Sequence, residues 1–305
     1  MNSFRKLAFG YSTRCNIRCR HCVAAGEVPS YATMDFTRAR ALIGEMACCG
    51  VRGISFTAGE PLLYVDEMSR LTGLCARHGI YTRIVTNGFW AKSPDHADRI
   101  VSGLKTAGLS QLRISFSRWH QEHVRRENII LAAASCRRFG LDYFVSFVTD
   151  FSEADDDFEQ FLRDNSLKFF PEPMIYFGRA EGFSRRPVFT DYPANTCAMN
   201  PYLSPDLDMF ACCDAGSRFA ETGFFHLGNL NERPVGELFD AYEQNSLYQL
   251  VRTMGLSTMA SYLGFKARDI VTFRKCELCE KLFNSPENLA ALQKAVASGL
   301  ADWRR

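Results

Sequence analysis

The sequence predicts an α/β protein: a parallel sheet built from β-α repeats, followed by a smaller part with a different pattern. Three observations carry this. Short apolar runs alternate six times with amphipathic helical stretches between residues 5 and 174, and strands that alternate with helices assemble as a parallel sheet. Glycines stand where helical stretches should stop, at Gly50, Gly79 and Gly140. Beyond residue 196 the alternation ends, and Cys197, Cys212, Cys213, Cys276 and Cys279 enter in its place.

Arg5 to Ser12 reads as the first strand, with Leu7 and Phe9 on one face and Ala8 and Gly10 on the other. Residues 34–49 read as a helix, because Phe36, Ala39, Ile43 and Met46 recur at spacings of three and four. The strand from Gly53 to Phe56 runs into Thr57-Ala-Gly-Glu60-Pro61. Helix 64–78, strand 81–85, helix 94–107, strand 111–116, a helix up to Phe139, strand 143–148, helix 153–164 and strand 168–174 complete six β-α steps. Such a series fits an open doubly wound sheet or a partial barrel; in both, ligands collect at the C-terminal ends of the strands. Residues 181–196, rich in Arg, Pro and Phe, read as a linker. Pro201–Cys213 looks like a hairpin around Ser204-Pro-Asp-Leu-Asp208, residues 234–252 like one helix, and Ser285-Pro286-Glu287 like a capped helix start.

The 305 residues, 47% hydrophobic, suffice for one large domain or a large and a small one. No apolar run reaches the roughly 18 residues of a membrane span. Met1 to Gly10 lacks the apolar stretch of a signal peptide, so cytoplasmic residence is expected. The net charge of +2 comes from dispersed basic residues and indicates no nucleic-acid partner. Twelve cysteines are many for a reducing compartment, where clustered cysteines are more often metal ligands or catalytic groups than disulfides. Cys48, Cys49, Cys75 and Cys136 fall in apolar helical patterns and are expected in the core.

The densest chemistry is Cys15-Asn-Ile-Arg-Cys19-Arg-His-Cys22, directly after the first strand. Three thiolates this close can bind three irons of a four-iron cluster and leave the fourth open to a small ligand. A zinc knuckle short of one ligand, or cysteines serving as small apolar residues, are the alternatives. The C-terminal set, Cys197, then Cys212-Cys213 after fourteen residues, then Cys276-x2-Cys279, offers four ligands for a closed site, with zinc and an iron–sulfur cluster both open. His120 and His123 are three apart and would share a helical face, as exposed or capping residues or as a metal pair.

The cysteine triplet resembles the signature of the radical S-adenosylmethionine (radical SAM) enzymes. That resemblance decides for a partial (β/α)6 TIM-type barrel over residues 1–180. It implies that Cys15, Cys19 and Cys22 hold a [4Fe–4S] cluster whose open iron chelates SAM, and that electron transfer cleaves SAM to methionine and a 5'-deoxyadenosyl radical. Reduced flavodoxin or ferredoxin is the electron donor it implies. His21 stands where the family has an aromatic ring near the adenine. Thr57-Ala-Gly-Glu60-Pro61 is similar to the family's Gly-Gly-Glu-Pro motif, with Ala58 for the first glycine, and implies that Glu60 accepts from the SAM amino group. Thr86-Asn87-Gly88 is similar to the third-strand motif under the cofactor; an ordinary Asn-Gly turn is its plain alternative. Arg113-Ile-Ser115-Phe-Ser117 resembles the fourth-strand motif that contacts the SAM ribose or carboxylate, although Ser117 brings a hydroxyl where many relatives have an Asp. Arg179, in a Gly-Arg-Ala segment, would clamp a carboxylate, or else form a structural salt bridge.

The last third, residues 197–305, resembles the twitch form of the SPASM/twitch extensions, a small α+β domain with one auxiliary [4Fe–4S] cluster. Full SPASM domains carry more cysteines and two auxiliary clusters. Cys197, Cys212, Cys276 and Cys279 would be the ligands, with Cys212 and Cys213 interchangeable. The spare cysteine, assigned as Cys213, is either packing or a hydrogen-atom donor, which would make the enzyme an epimerase. The resemblance implies a ribosomally made peptide as substrate, with crosslinking, epimerisation or backbone modification as the outcome; the start of the claw at residue 15 leaves no room for an N-terminal peptide-binding domain and weighs against a leader-peptide mode. A radical dehydrogenase of a small polyol or aminosugar is the alternative. A non-enzymatic iron–sulfur sensor or scaffold is the third reading, and Glu60 speaks against it, since a sensor needs no group to hold a methionine amine.

Overall fold

The computed structural model describes residues 5–24, 31–184, 195–266 and 275–299. Most of the expected linker, residues 185–194, lies outside them. The chain divides into two compact units, one of Met1–Glu181 with Ser204–Asp206, the other of Gly182–Leu203 with Leu207–Arg305.

The first unit is the predicted alternation. Strands β1 (Arg5–Gly10), β2 (Val51–Thr57), β3 (Tyr81–Thr86), β4 (Gln111–Phe116), β5 (Asp142–Thr149) and β6 (Phe169–Pro173) pair in parallel, each with its neighbour in sequence. Helices α1 (Phe36–Cys48), α2 (Val65–Arg77), α3 (Pro94–Thr106), α4 (Arg126–Arg138) and α5 (Asp156–Asp164) connect them. β1 and β6 are the two ends of this parallel run and do not pair with each other, so the barrel is partial. Residue alternation sets the two faces. Leu112, Ile114 and Phe116 of β4 are fully buried beneath the helices, while Arg113 and Ser115 point to the other, half-open face. Each fully buried aliphatic or aromatic side chain on the helix side contributes about 2 kcal/mol, and this layer fixes the register on which the strand ends depend.

Local chemistry sets the helix ends. Asp35 accepts from Arg38 N and Ser93 accepts from His96 N, each satisfying an orphan donor of its first turn. Two expectations change here. Cys75 and Cys136 are core residues, but Cys48 is exposed and Cys49 half-buried, because they end α1 after its apolar stripe has turned away. His120 and His123 lie in turns before α4 and share no helix.

The second unit contains β7 (Tyr202–Leu203), β8 (Asp208–Phe210) and β9 (His226–Asn229), paired antiparallel in that order, and helices α6 (Val235–Gln244), α7 (Ser246–Thr253), α8 (Leu256–Tyr262), α9 (Lys275–Phe283) and α10 (Pro286–Ala297). The single helix expected over 234–252 is two. Asn245 leaves helical geometry at ψ 111° and its side chain accepts from Tyr248 N, ending α6 and capping α7. The core is aromatic: Phe224 stacks on Phe283 and Phe225 on Tyr248, at 5.2 and 5.7 Å between ring centres. Among the described residues no helix is long and apolar enough to cross a membrane.

Candidate active site

Three fixed points hold the cysteine loop after β1. Glu60 N donates to Arg14 O at 2.8 Å, from the end of β2. Asn87, at the end of β3, donates through Nδ2 to Asn16 Oδ1 at 3.0 Å and lies 4.0 Å from Cys15 Sγ. Arg179, in the 3-10 turn Gly178–Ala180 after β6, donates from its backbone N to Cys22 O at 3.1 Å and from Nε to Cys19 O at 2.9 Å. Within the loop, Cys22 N donates to Cys19 O at 3.3 Å. The three cysteines are free thiols. Burial pushes the Cys15 thiol up to about 11, with the nearby Glu60 and Cys22 adding to it. Burial, then the Cys22 and Cys15 charges, push Cys19 higher still, while the Arg179 guanidinium works the other way on both. A cation is what makes such a trio ionise, because metal binding displaces thiol protons.

Gly59 is where the loop and β2 touch most closely. A Cβ there would lie 2.2 Å from Arg14 O and 2.7 Å from Ser12 O, at φ +54°. The glycine therefore admits the chain's own cysteine loop. Ala58 beside it also lies in the left-handed region, φ 66°, where glycine is the unstrained residue.

Glu60 is held by three donors of the chain itself. It is 2% exposed, and its carboxylate accepts from Leu62 N at 3.0 Å, Thr86 Oγ1 at 2.7 Å and Asn87 N at 2.7 Å. Trp90 Nε1 donates to the same Thr86 hydroxyl at 3.0 Å. Burial raises Glu60 to about 7, and the three donors pull the other way. The side chain ties the ends of β2 and β3 together, and through Asn87 it reaches the cysteine loop.

His21 also has neighbours that the sequence did not announce. Its ring stacks on Trp119 at 4.9 Å and meets His120 edge-on at 4.6 Å. Trp119 in turn lies under the Arg118 guanidinium at 4.2 Å, and Arg118 is held by Asp150 and Asp155 at 2.7 and 2.8 Å. Ser117 is buried and pairs with His120 Nδ1 at 2.7 Å, so its hydroxyl is taken. Ser115 lies apart from it, on the half-open face of β4 beside Ser146 of β5. Burial lowers His120 to about 4 and, helped by the neighbouring His120 charge, holds His21 well below its ordinary value. His21 Nδ1 is sealed from solvent without a hydrogen-bond partner among the described residues. The sequence pattern does not announce the roles of Trp119 and the Arg118–Asp155 strut; the position of Trp119 directly after the fourth-strand motif is its one signal.

In the second unit, Cys276 and Cys279 sit three apart on α9 and share a face. Cys212 accepts from Asp214 N at 3.4 Å, and Gly216 leaves room for it: a Cβ there would be 2.7 Å from Cys212 Cβ and 3.1 Å from Phe225 Cγ. Burial raises the thiols of Cys212, to about 12, and of Cys213, Cys276 and Cys279; each also feels charge at Cys197. Cys279 additionally feels Cys212 and Cys276. Cys213 Sγ points to Asp214 Oδ2 at 3.7 Å. Cysteines from three distant stretches of chain thus lie in the second unit, near enough for their charges to act on one another.

Among the described residues, no three His, Cys, Asp or Glu side chains converge on a point for a single metal ion. A four-iron cluster asks for a wider arrangement, one thiolate per iron corner. In the claw, three free thiols on one short loop, the adjacent Arg179 charge and the orphaned His21 Nδ1 fit an anionic cluster with a polar ligand beside it.

An α/β partial barrel with a three-cysteine loop at the end of its first strand defines a class of metal-dependent enzyme, and comparison with known proteins gives its family. The profile of the Radical SAM superfamily matches residues 10–164. The chain belongs to the radical SAM superfamily, whose enzymes work with SAM and a [4Fe–4S] cluster. Among curated proteins it is 23% identical over 181 residues to the putative peptide biosynthesis protein YydG of Bacillus subtilis (strain 168), covering 58% of this chain and 57% of that one. It is 28% identical over 127 residues to GTP 3',8-cyclase of Rhodococcus opacus (strain B4), covering 40% and 34%. The matched region thus spans no more than 57% of the length of either relative. Among solved structures, tagged anSMEcpe with bound AdoMet superposes with TM-score 0.59 at 13% identity over 98% of both chains. BtrN in complex with AdoMet and 2-DOIA superposes with TM-score 0.52 at 14% identity over 84% of this chain and 89% of that one.

Proposed function

We propose that this radical SAM enzyme modifies a ribosomally made peptide, by crosslinking, epimerisation or backbone change, and that its second unit is a twitch-type domain with one auxiliary [4Fe–4S] cluster. The observation that carries the peptide reading is the relative named for peptide biosynthesis, which matches 58% of this chain where the cyclase matches 40%. Cys15, Cys19 and Cys22 would hold the first cluster, and Cys197, Cys212, Cys276 and Cys279 the second. When bound, the first cluster and SAM supply reductive SAM cleavage and removal of a hydrogen atom from the substrate, with the electron coming from flavodoxin or ferredoxin.

The chain's own residues then have these roles. Glu60 and Asn87 position the cysteine loop from the ends of β2 and β3. Glu60 acts mainly through Thr86 and Asn87, and its contact with the SAM amine is limited to the acceptor capacity its three donors leave. Arg179 anchors the loop backbone and places positive charge beside the thiolates, and its half-buried guanidinium can also reach a carboxylate. His21, stacked on Trp119, offers a flat ring face near the adenine. Ser115 supplies a hydroxyl on the half-open face, and Ser117 fixes His120. Cys213 keeps its proton under burial and can give a hydrogen atom to a substrate carbon, which is the epimerase outcome.

The test is anaerobic reconstitution, reduction with dithionite and SAM, and mass spectrometry on short peptides encoded beside this chain's gene. A peptide mass change, or deuterium uptake from heavy water, together with 5'-deoxyadenosine supports the proposal. 5'-Deoxyadenosine made only with polyols or aminosugars moves the substrate to that class. Epimerised product that persists in Cys213→Ala removes the donor role.

A further inference from the structure

We propose that Arg252 is a built-in counter-charge for the C-terminal cysteine group: its guanidinium donates to the sulfur of the cluster held by Cys197, Cys212, Cys276 and Cys279 and raises that cluster's reduction potential. This rests on the four-cysteine reading above. Three observations within the second unit lead to it.

Arg252 has donors with nothing to donate to. Its Nε and Nη2 are sealed from solvent and have no hydrogen-bond partner among the described residues. Its guanidinium lies 4.4 Å over the Tyr242 ring. A cation–π contact accounts for that placement, but it satisfies neither buried N–H, and a buried donor left unsatisfied is costly.

The helix that carries Arg252 also faces the cysteines. Val251 O, one residue before it, accepts from Cys197 N at 3.3 Å. Tyr248, one turn earlier on the same face of α7, is pushed up by burial and also by charge at Cys212 and Cys279.

The ring beneath the guanidinium completes the arrangement. Burial raises Tyr242 to about 12; charge at Cys197, Cys212 and Cys213 adds to this, and Arg252 opposes it. Tyr242 is already spent as a donor to Met199 O, so it offers the thiolates no hydrogen bond. Tyr248 is likewise spent on Phe224 O. Among these three side chains, only Arg252 has unused donors and a positive charge. An iron–sulfur cluster with four thiolates is anionic, and hydrogen bonds and positive charge at its sulfurs favour the reduced form.

The experiment uses the full chain with Cys15→Ala, Cys19→Ala and Cys22→Ala, so that only the C-terminal group is read. Iron quantitation comes first. Retention of one cluster's iron, lost on adding Cys276→Ala, upholds the four-cysteine reading; no iron sinks that reading, and the Arg252 proposal falls with it. Potentiometric titration followed by electron paramagnetic resonance then compares Arg252, Arg252→Lys and Arg252→Met. The expected result is unchanged iron and a reduction equilibrium about tenfold less favourable in Arg252→Met, ~59 mV for one electron, with Arg252→Lys between the two. A midpoint in Arg252→Met equal to the parent's, at full iron, overturns the counter-charge. Loss of iron in Arg252→Met but not in Arg252→Lys supports it, and loss in both counts against it.

Discussion

The two cysteine groups are built in opposite ways. Cys15, Cys19 and Cys22 come from eight consecutive residues, and the fold's task is to hold one loop: Glu60, Asn87 and Arg179 do this with hydrogen bonds from strand ends and a turn. Cys197, Cys212, Cys276 and Cys279 come from three distant stretches, and an aromatic core with the α7–α9 helices must assemble before they meet. A group local in sequence depends on polar struts. A group that is distant in sequence depends on packing. Substitutions should therefore separate the two.

The largest effect should come from Trp119→Ala. Trp119 is 2% exposed and carries both His21 and Arg118, so its loss should cost about 4 kcal/mol. Urea unfolding would measure this, and hydrogen exchange should show the opening in the first unit while α7 and α9 stay protected. Equal loss of protection in both units would break the comparison.

Gly59→Ala should follow, at about 3 kcal/mol, because the new Cβ meets loop backbone and cannot be relieved by a rotamer change. Its signature should be iron lost from the claw alone. Gly216→Ala is the mirror image: a Cβ 2.7 Å from Cys212 Cβ should displace that thiol and remove iron from the C-terminal group alone.

Glu60→Gln tests the strut through pH. Glu60 is raised from 4.5 to about 7 in the folded chain. Between these values the folded state keeps a proton that the unfolded chain has released, so this group's contribution falls as pH rises through the window. His120, lowered from 6.5 to about 4, acts with the opposite sign: the unfolded chain takes up the proton first, and stability falls as pH drops from 6.5 toward 4. Glu60→Gln removes the first slope and leaves the second. Urea midpoints at pH 5 and pH 7 should rise with pH more steeply in the variant than in the parent; a smaller rise would contradict the buried-carboxylate account.

The smallest effects sharpen the picture. Asn245→Ala should cost the second unit about 1 kcal/mol through the lost cap of α7. Ala58→Gly should stabilise the first unit by about 0.7 kcal/mol by relieving a left-handed alanine.

The same contrast explains what the sequence made legible. The α/β fold with a parallel sheet could be read because each strand, helix and stop is a local pattern, and because consecutive elements became neighbours in the sheet. The break at Asn245 was hidden, since an asparagine inside an amphipathic run looks the same as an interior polar residue until its side chain is seen capping Tyr248 N. The cysteines could be located, but their surroundings could not. Glu60 finds Thr86 and Asn87, His21 finds Trp119, and Arg179 finds Cys19 O only through tertiary contacts across tens to more than a hundred residues.

The most direct test of two cysteine groups in one radical SAM enzyme is iron and sulfide quantitation on the reconstituted chain, paired with 5'-deoxyadenosine assay, before and after Cys15→Ala, Cys19→Ala and Cys22→Ala. About eight irons and SAM cleavage are expected in the parent, and about four irons with no cleavage once the claw is removed, as two four-iron clusters require. A parent with about four irons, all lost with the claw, would contradict the second cluster. Cleavage that survives removal of the claw would contradict the account as a whole.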